Sequence, residues 1–304
     1  MSGFCEFKNL EGAAFGQVSD PVGRTGVTVL RFDGGAVAAV DVRGAAPGTR
    51  ETDLLKPENL IDRVHAIVLA GGSVWGLDAM SGVAHALENA NVGFDTGLVR
   101  VPIVTGAVLF DLGVGTPGAR PDVAMGRAAA ECAVPGGIEI GAVGAGCGAT
   151  LGKLYGSQYA RPSGLGAHCI ELGSGHCVAA LVAVNPYGEV YGSDGTPLAM
   201  SSAPGHARAA PHYGDAGDMP GTNTTIGAVL TNATLTKSEA LKVCQMAHDG
   251  LARAIRPAHT LYDGDTLFAA ATGTHSTMPL NRLGMLAADA VEAAIHVAVG
   301  AAGR

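Results

Sequence analysis

The sequence predicts an α+β protein of layered sheets with helices outside, rather than a doubly wound parallel sheet. Three observations carry that reading. Strand and helix candidates come in pairs, not in strict β-α-β alternation. Hydrophobic residues make up 47% of the chain and charged residues 15%, the balance of a globular protein and not a disordered one. Much of the apolar share is Ala and Val, and 46 Gly allow elements to pack closely and turn tightly. A length of 304 residues suits one large domain or two small ones.

Residues 26–32 read as a strand, Gly34-Gly35 as a turn and residues 36–42 as a second strand, so a hairpin is expected. Residues 65–70 are a continuous apolar run and hence a buried strand. Gly71-Gly72-Ser73 follows, leading into a helix expected over residues 74–88 with Ser73 as N-cap. Backbone N–H groups in such a turn can hold an anion or a carbonyl oxygen; the turn serves equally as a tight connection. Trp75, the sole tryptophan, is either a pocket wall or core. Short apolar segments follow at residues 101–104 and 107–110, then a short helix at residues 124–133.

The glycine-rich tract at residues 141–153 invites a phosphate-loop reading and fails it. Cys147 stands where the first glycine is needed, and Leu154 where Ser or Thr is needed. Lys153 remains either a fixed cation at a site or a surface lysine. Residues 176–184 form the longest strand candidate, ending in the turn Asn185-Pro186-Tyr187-Gly188, with residues 189–191 expected to complete a hairpin. Residues 195–221, rich in Pro, Gly, Ser, Ala and His, read as a long surface loop. After a strand at residues 226–230, Thr236-Lys237-Ser238-Glu239 is a capping-box start. Its helix carries His248 on the apolar face and stops at Pro257. A strand at residues 266–271 and a closing helix at residues 281–298 complete the chain.

Within this frame Gly221-Thr222-Asn223-Thr224-Thr225-Ile226-Gly227 stands out, because Thr224 sits where a linker enters a buried strand. A hydroxyl there could attack the Asn223 carbonyl and cut its own chain. Thr224 would become a new N-terminus, with nucleophile and amine on one residue, a known solution for amide hydrolysis. Asn223-Thr224-Thr225 and Asn232-Ala233-Thr234 are also N-x-T sequons, relevant only in a secreted chain.

The net charge of −8 and a pI near 5.6 argue against a nucleic-acid partner. Residues 1–6 lack the charged-then-apolar pattern of a signal peptide, and no uninterrupted apolar run reaches membrane-spanning length. The six cysteines show neither a CxxC pair nor a disulfide framework, and most read as small buried hydrophobes. The expectation is a soluble protein in a reducing, cytoplasmic compartment.

Several motifs together resemble the DmpA-type aminopeptidases, N-terminal-nucleophile hydrolases that include β-peptidyl aminopeptidases, a nylon-oligomer hydrolase and a pantetheine hydrolase. Leu69-Ala70-Gly71-Gly72-Ser73 with Gly76-Leu77-Asp78 is similar to the family's Gly-Gly-Ser-x-x-Gly-Leu motif. Asn223-Thr224-Thr225-Ile226 resembles the cleavage site of its threonine branch. Gly152-Lys153, Val184-Asn185-Pro186 and Asp263-Gly264-Asp265-Thr266-Leu267-Phe268 resemble the nylon-oligomer hydrolase in type and nearly in spacing.

The resemblance covers nearly the whole chain and implies one αββα sandwich over residues 1–304, self-cut into residues 1–223 and 224–304 that stay together. It implies Thr224 as nucleophile, its α-amine as base, and Asn185 and Lys153 beside it as orienting or oxyanion-stabilising groups. Asp263 and Asp265 would complete a polar network; taken alone, Asp-Gly-Asp is ordinary turn chemistry. Gly72, Ser73, Trp75 and Phe110 are pocket candidates. Phe110 stands where several members carry a tyrosine whose hydroxyl helps hold the oxyanion, so another donor must serve or the substrate sits differently. The resemblance implies a small-molecule or peptide substrate, no metal or organic cofactor, and a homo-oligomer, a tetramer or larger ring. The alternatives are an acyltransferase of the ornithine acetyltransferase type and a non-catalytic metabolite-binding relative.

Overall fold

A computed structural model describes residues 3–204 and 222–302. The layers are built from β1 (Ala14–Asp20), β2 (Thr25–Val42), β3 (Arg63–Ala70), α1 (Ala79–Asn89), β4 (Val104–Val108), α2 (Val123–Glu131), β5 (Leu165–Glu171), β6 (Cys177–Asn185), β7 (Thr224–Ala233), α3 (Lys237–Ala254), β8 (Thr266–His275) and α4 (Leu280–Ala302). Hydrogen bonding runs β5-β6-β7-β8-β2-β3-β4, with Gly48–Arg50 beyond β4 and β1 on the first half of β2. β7 with β8 and β3 with β4 are parallel; the remaining neighbours are antiparallel.

Strand alternation shows how this sheet makes two layers. Leu181, Ile226, Leu230 and Phe268 share one core with Leu30, Phe32, Ile67 and Leu69, so two leaves face each other. The opposite faces carry Val178, Val182, Val229 and Leu267, which pack under α3 and α4. On the other leaf Val27, Val29, Val68 and Ala70 pack under α1 and α2. The result is the αββα sandwich that the resemblance implied.

β2 joins the leaves. Its inner face, Leu30, Phe32, Ala36 and Ala38, stays in the central core throughout. Its outer face passes from Val27 and Val29 under α1 and α2 to Ala39 under α3 and α4. The expected hairpin at Gly34-Gly35 is therefore absent. The two glycines lie in a register shift between Arg31 and Ala36, where Gly35 takes φ +72°, and the strand continues beyond them. A bulge bends and twists a strand without reversing it, and it uses the same residues as a turn.

Other expectations also shift. Residues 189–191 make no hairpin with β6, whose two edges are taken by β5 and β7; they pair with Pro197–Ala199 and Ile255–Arg256. Ser73 is not an N-cap: it adopts φ +53° inside a 3-10 turn, Ser73–Asp78, that precedes α1. Of the loop expected at residues 195–221, residues 205–221 lie outside the described residues. The capping box of α3 forms as read, Thr236 and Glu239 each accepting from the other's backbone N–H. His248 is buried on that helix, its Nε2 2.9 Å from the Asp41 carbonyl. α4 is long and apolar enough to cross a membrane, but Leu283, Ala287, Val291 and Ile295 place it in the core under β5 and β6. The sulfurs of Cys169 and Cys177 lie 2.9 Å apart across β5 and β6, a proximity their sequence spacing does not display.

Candidate active site

Topology gathers most of the polar candidates at one end of the sheet. β6 runs antiparallel to β7, so its last residue, Asn185, lies opposite Thr224, the first of β7. β8 runs parallel to β7, so the turn before β8 lies beside the entry to β7, with Asn223 bridged to Asp263. Asn185, Asn223, Thr224, Asp263 and Asp265 are each no more than 3% exposed. Such concentration of buried polarity needs partners, and the hydrogen bonds supply most of them.

The Asn223–Thr224 bond is held from two sides. Thr224 Oγ1 donates to the Asn223 carbonyl oxygen. The same oxygen accepts the Gly264 N–H at 2.9 Å. Gly264 must lack a side chain here, because a Cβ would come within 2.8 Å of Thr224 Oγ1 and 2.5 Å of the Ala46 carbonyl oxygen. Asp265 Oδ1 accepts the Thr225 N–H at 2.7 Å, and its Oδ2 accepts from the His259 backbone N–H at 3.0 Å and lies 2.9 Å from His259 Nδ1. Asp263 is bound through the Tyr187 N–H at 3.0 Å on one oxygen and by Thr260 on the other.

Lys153 approaches from the glycine-rich tract. Its Nζ donates to Asn185 Oδ1 at 2.8 Å and to the Asn185 carbonyl at 3.2 Å. Asn185 Oδ1 also accepts the Thr150 N–H at 3.0 Å, while Nδ2 donates to the Phe110 carbonyl at 3.0 Å. Burial lowers the Lys153 ammonium to about 7, against the opposing pull of Asp263 and Asp111. Burial first, then the charge of Asp265, raises Asp263 above the usual carboxylate range. Asp111 is raised as well, chiefly by burial, although it accepts the Gly72 N–H. A lysine near neutrality among raised carboxylates is a poised arrangement of the kind found at reactive sites.

A cavity of about 840 Å³ opens onto this cluster. Phe110, Lys153, Tyr187, Thr222 and Asn223 are among its walls. Phe110 lines the cavity, and its ring offers no donor. Gly72, Ser73 and Trp75 do not line the cavity. Their turn is also closed to an anion at the positions expected: the N–H groups of Gly71, Gly72 and Ser73 go to Gly26 O, Asp111 Oδ1 and Leu109 O. Trp75 stands half-exposed beneath the Arg120 guanidinium, 3.7 Å from the ring centre. Sequence reading missed the Gly264 N–H, Asp111 and His259. Only the left-handed backbone of His259, φ +56°, marks it as unusual, and no residue pattern announces that.

Comparison with known proteins bears on the family and the fold. A family model described as Peptidase family S58 matches residues 9–304. The chain is similar to an uncharacterized aminopeptidase of Mycobacterium tuberculosis, 42% identical over 294 residues, spanning 91% of this chain and 81% of the relative. It is similar to a 6-aminohexanoate-oligomer endohydrolase of Agromyces sp., 35% identical over 275 residues, spanning 86% and 73%. Among solved structures, a beta-aminopeptidase of Burkholderia sp. aligns with a TM-score of 0.70 at 21% identity, over 95% of this chain and 84% of that one. The L-aminopeptidase D-Ala-esterase/amidase of Ochrobactrum anthropi, described as a variant of the Ntn hydrolase fold, aligns with a TM-score of 0.69 at 17% identity, over 98% and 88%. These structural likenesses establish the layered fold.

Proposed function

The chain belongs to peptidase family S58, and from that premise we propose that it is a self-cutting amide hydrolase whose nucleophile is Thr224. The observation that carries this reading is the Asn223 carbonyl, bonded by the Thr224 hydroxyl and by the Gly264 N–H at 2.9 Å. In maturation Oγ1 bonds to the Asn223 carbonyl carbon, and the oxygen gathers charge against the Gly264 N–H. The C–N bond then breaks, the nitrogen takes a proton, and Asn223 is left as an ester on Thr224. The α-amine of Thr224 is thereby free, and water hydrolyses the ester to release the Asn223 carboxylate and the Thr224 hydroxyl.

That amine, with a reference pKa of about 7.7–8.0, is the base for turnover. The free hydroxyl attacks a substrate amide, the amine product leaves with the proton, and water releases the acid. Lys153 binds Asn185, the strand partner of the nucleophile, and brings a cation to the cavity wall it shares with Asn223. Asp265 fixes the Thr225 N–H and so the position of Thr224. β7 lies between β6 and β8, which favours residues 224–304 staying in place after the cut. The names of the relatives support peptides, β-peptides or ω-amino-acid amides as substrates.

The test is acylation of purified protein with p-nitrophenyl acetate followed by peptide mapping. We expect an acetyl adduct on Thr224 and none in Thr224→Ala. An adduct elsewhere, or equal labelling of the variant, would remove Thr224 from the nucleophile's role.

A further inference from the structure

The Gly71-Gly72-Ser73 turn lies off the cavity, yet two of its N–H groups hold the segment that reaches it. The Ser73 N–H donates to the Leu109 carbonyl at 2.9 Å, and the Leu109 N–H donates back to the Ala70 carbonyl at 2.9 Å. The Gly72 N–H donates to Asp111 Oδ1 at 2.7 Å. Asp111 is 2% exposed, and glycines make its room. A Cβ on Gly71 would collide with Asp111 Oδ2 and Thr25 Oγ1, and one on Gly148 would come within 2.8 Å of Asp111 Cβ. Gly72 itself takes φ +79°, a backbone that a side chain would strain. Between the two clamped residues, the Phe110 carbonyl accepts from Asn185 Nδ2 at 3.0 Å. Asn185 is the strand partner of Thr224.

From this we propose that Asp111 is a positioning residue for self-cleavage: seated in the glycine turn, its carboxylate fixes the Phe110 carbonyl against Asn185 and supplies a counter-charge to the Lys153 ammonium. This rests on the Thr224 reading above and adds a residue behind Lys153 and Asn185. Lys153 and Asp111 act on each other as opposite charges, and Asp263 is the other carboxylate that acts on Lys153. Cys147, which also faces Asp111, is raised by burial and stays neutral. Removing the Asp111 charge withdraws support from the ammonium, so Lys153 gives up its proton at lower pH. Losing the bond to Gly72 would instead loosen Phe110 and Asn185, a loss equal at every pH. Asparagine separates the two parts of the role. It matches the side chain in size and keeps an oxygen for the Gly72 N–H, and only the charge is gone.

The test follows cleavage of the wild-type and Asp111→Asn precursors, made by cell-free synthesis, across the pH range on either side of neutrality. We expect the midpoint of the pH profile to fall by about one unit in the variant. Cleavage at neutral pH should slow by roughly threefold to tenfold, with the acid-side rate within about twofold of wild type. An unshifted midpoint, or a loss equal at every pH, overturns the proposal. If the wild-type precursor is not cut between Asn223 and Thr224, the Thr224 reading has failed, and Lys153 itself decides the role of Asp111. Competitive acetylation with acetic anhydride, read at Lys153 by peptide mapping, should then titrate about one unit lower in Asp111→Asn than in wild type. Equal midpoints there overturn the Asp111 assignment as well.

Discussion

The two ends of β7 carry the same motif and do different things. Asn223-Thr224-Thr225 enters the strand, and Asn232-Ala233-Thr234 leaves it. At the exit Asn232 is fully used. Its Oδ1 accepts the Cys177 N–H at 3.0 Å, and its Nδ2 donates to Asn9 O at 3.0 Å and Gly175 O at 2.9 Å. Thr234 Oγ1 donates outward to His275 O at 2.8 Å. At the entry Asn223 Oδ1 is buried with no partner among the described residues, and the Thr224 hydroxyl rests on its own preceding carbonyl. A lysine brought to about 7 and a raised carboxylate stand nearby. Satisfied polarity staples the sheet; incompletely satisfied polarity, beside shifted charges, marks the end where chemistry can occur.

Substitutions at the two ends should separate these roles. Thr224→Ala is expected to leave the chain whole and lower turnover by on the order of 10⁴-fold or more. Thr234→Ala should leave both unchanged, as read on denaturing gels and in an amide assay. Lys153→Met should slow cleavage by roughly 10²–10³-fold, the cost of losing a cation at a developing oxyanion. The precursor has no free amine on Thr224, so Lys153 can be followed without that second titration. Below about 7 its ammonium is charged and above it is neutral, so wild-type cleavage should slow as pH rises through that value. The Met variant should be slow at every pH. Time courses from cell-free synthesis would show both effects.

His259 sharpens the comparison, because it acts on the entry only through Asp265. His259→Ala should lower kcat about tenfold with little change in KM, as Asp265 loses a donor. His259→Asn should restore much of the loss, since Asn keeps a donor and tolerates the left-handed backbone. The smallest effect on activity belongs to the exit. Asn232→Ala should cost about 2–3 kcal/mol of stability by stranding the groups it binds, with the junction still cut in full. Urea unfolding beside gel analysis would test this.

How much was legible follows the same division. Thr224 could be singled out because a hydroxyl stands where a linker enters a buried strand, whereas Asn185, Lys153, Asp263 and Asp265 are reached through the resemblance to a family's motifs; alone, Asn185 and the two aspartates read as turn residues, and Lys153 as either a site cation or a surface lysine. Their convergence then follows from antiparallel β6 and parallel β8 around β7. The Gly264 N–H could not be read, because a backbone donor has no residue signature. Asp111 and His259 act through partners distant in sequence, so their roles appear only once the strands are placed. Gly34-Gly35 misled because a bulge and a turn use the same glycines, and the Gly71-Gly72-Ser73 turn, which reads equally as an anion cradle and as a tight connection, is the tight connection, its N–H groups consumed by the fold.

The most direct test of the central claim is the intact mass of the purified protein under denaturing conditions, with N-terminal sequencing of each component. The account predicts two chains, the smaller beginning at Thr224. A single uncut chain that persists over days, or a cut at any other bond, would contradict it.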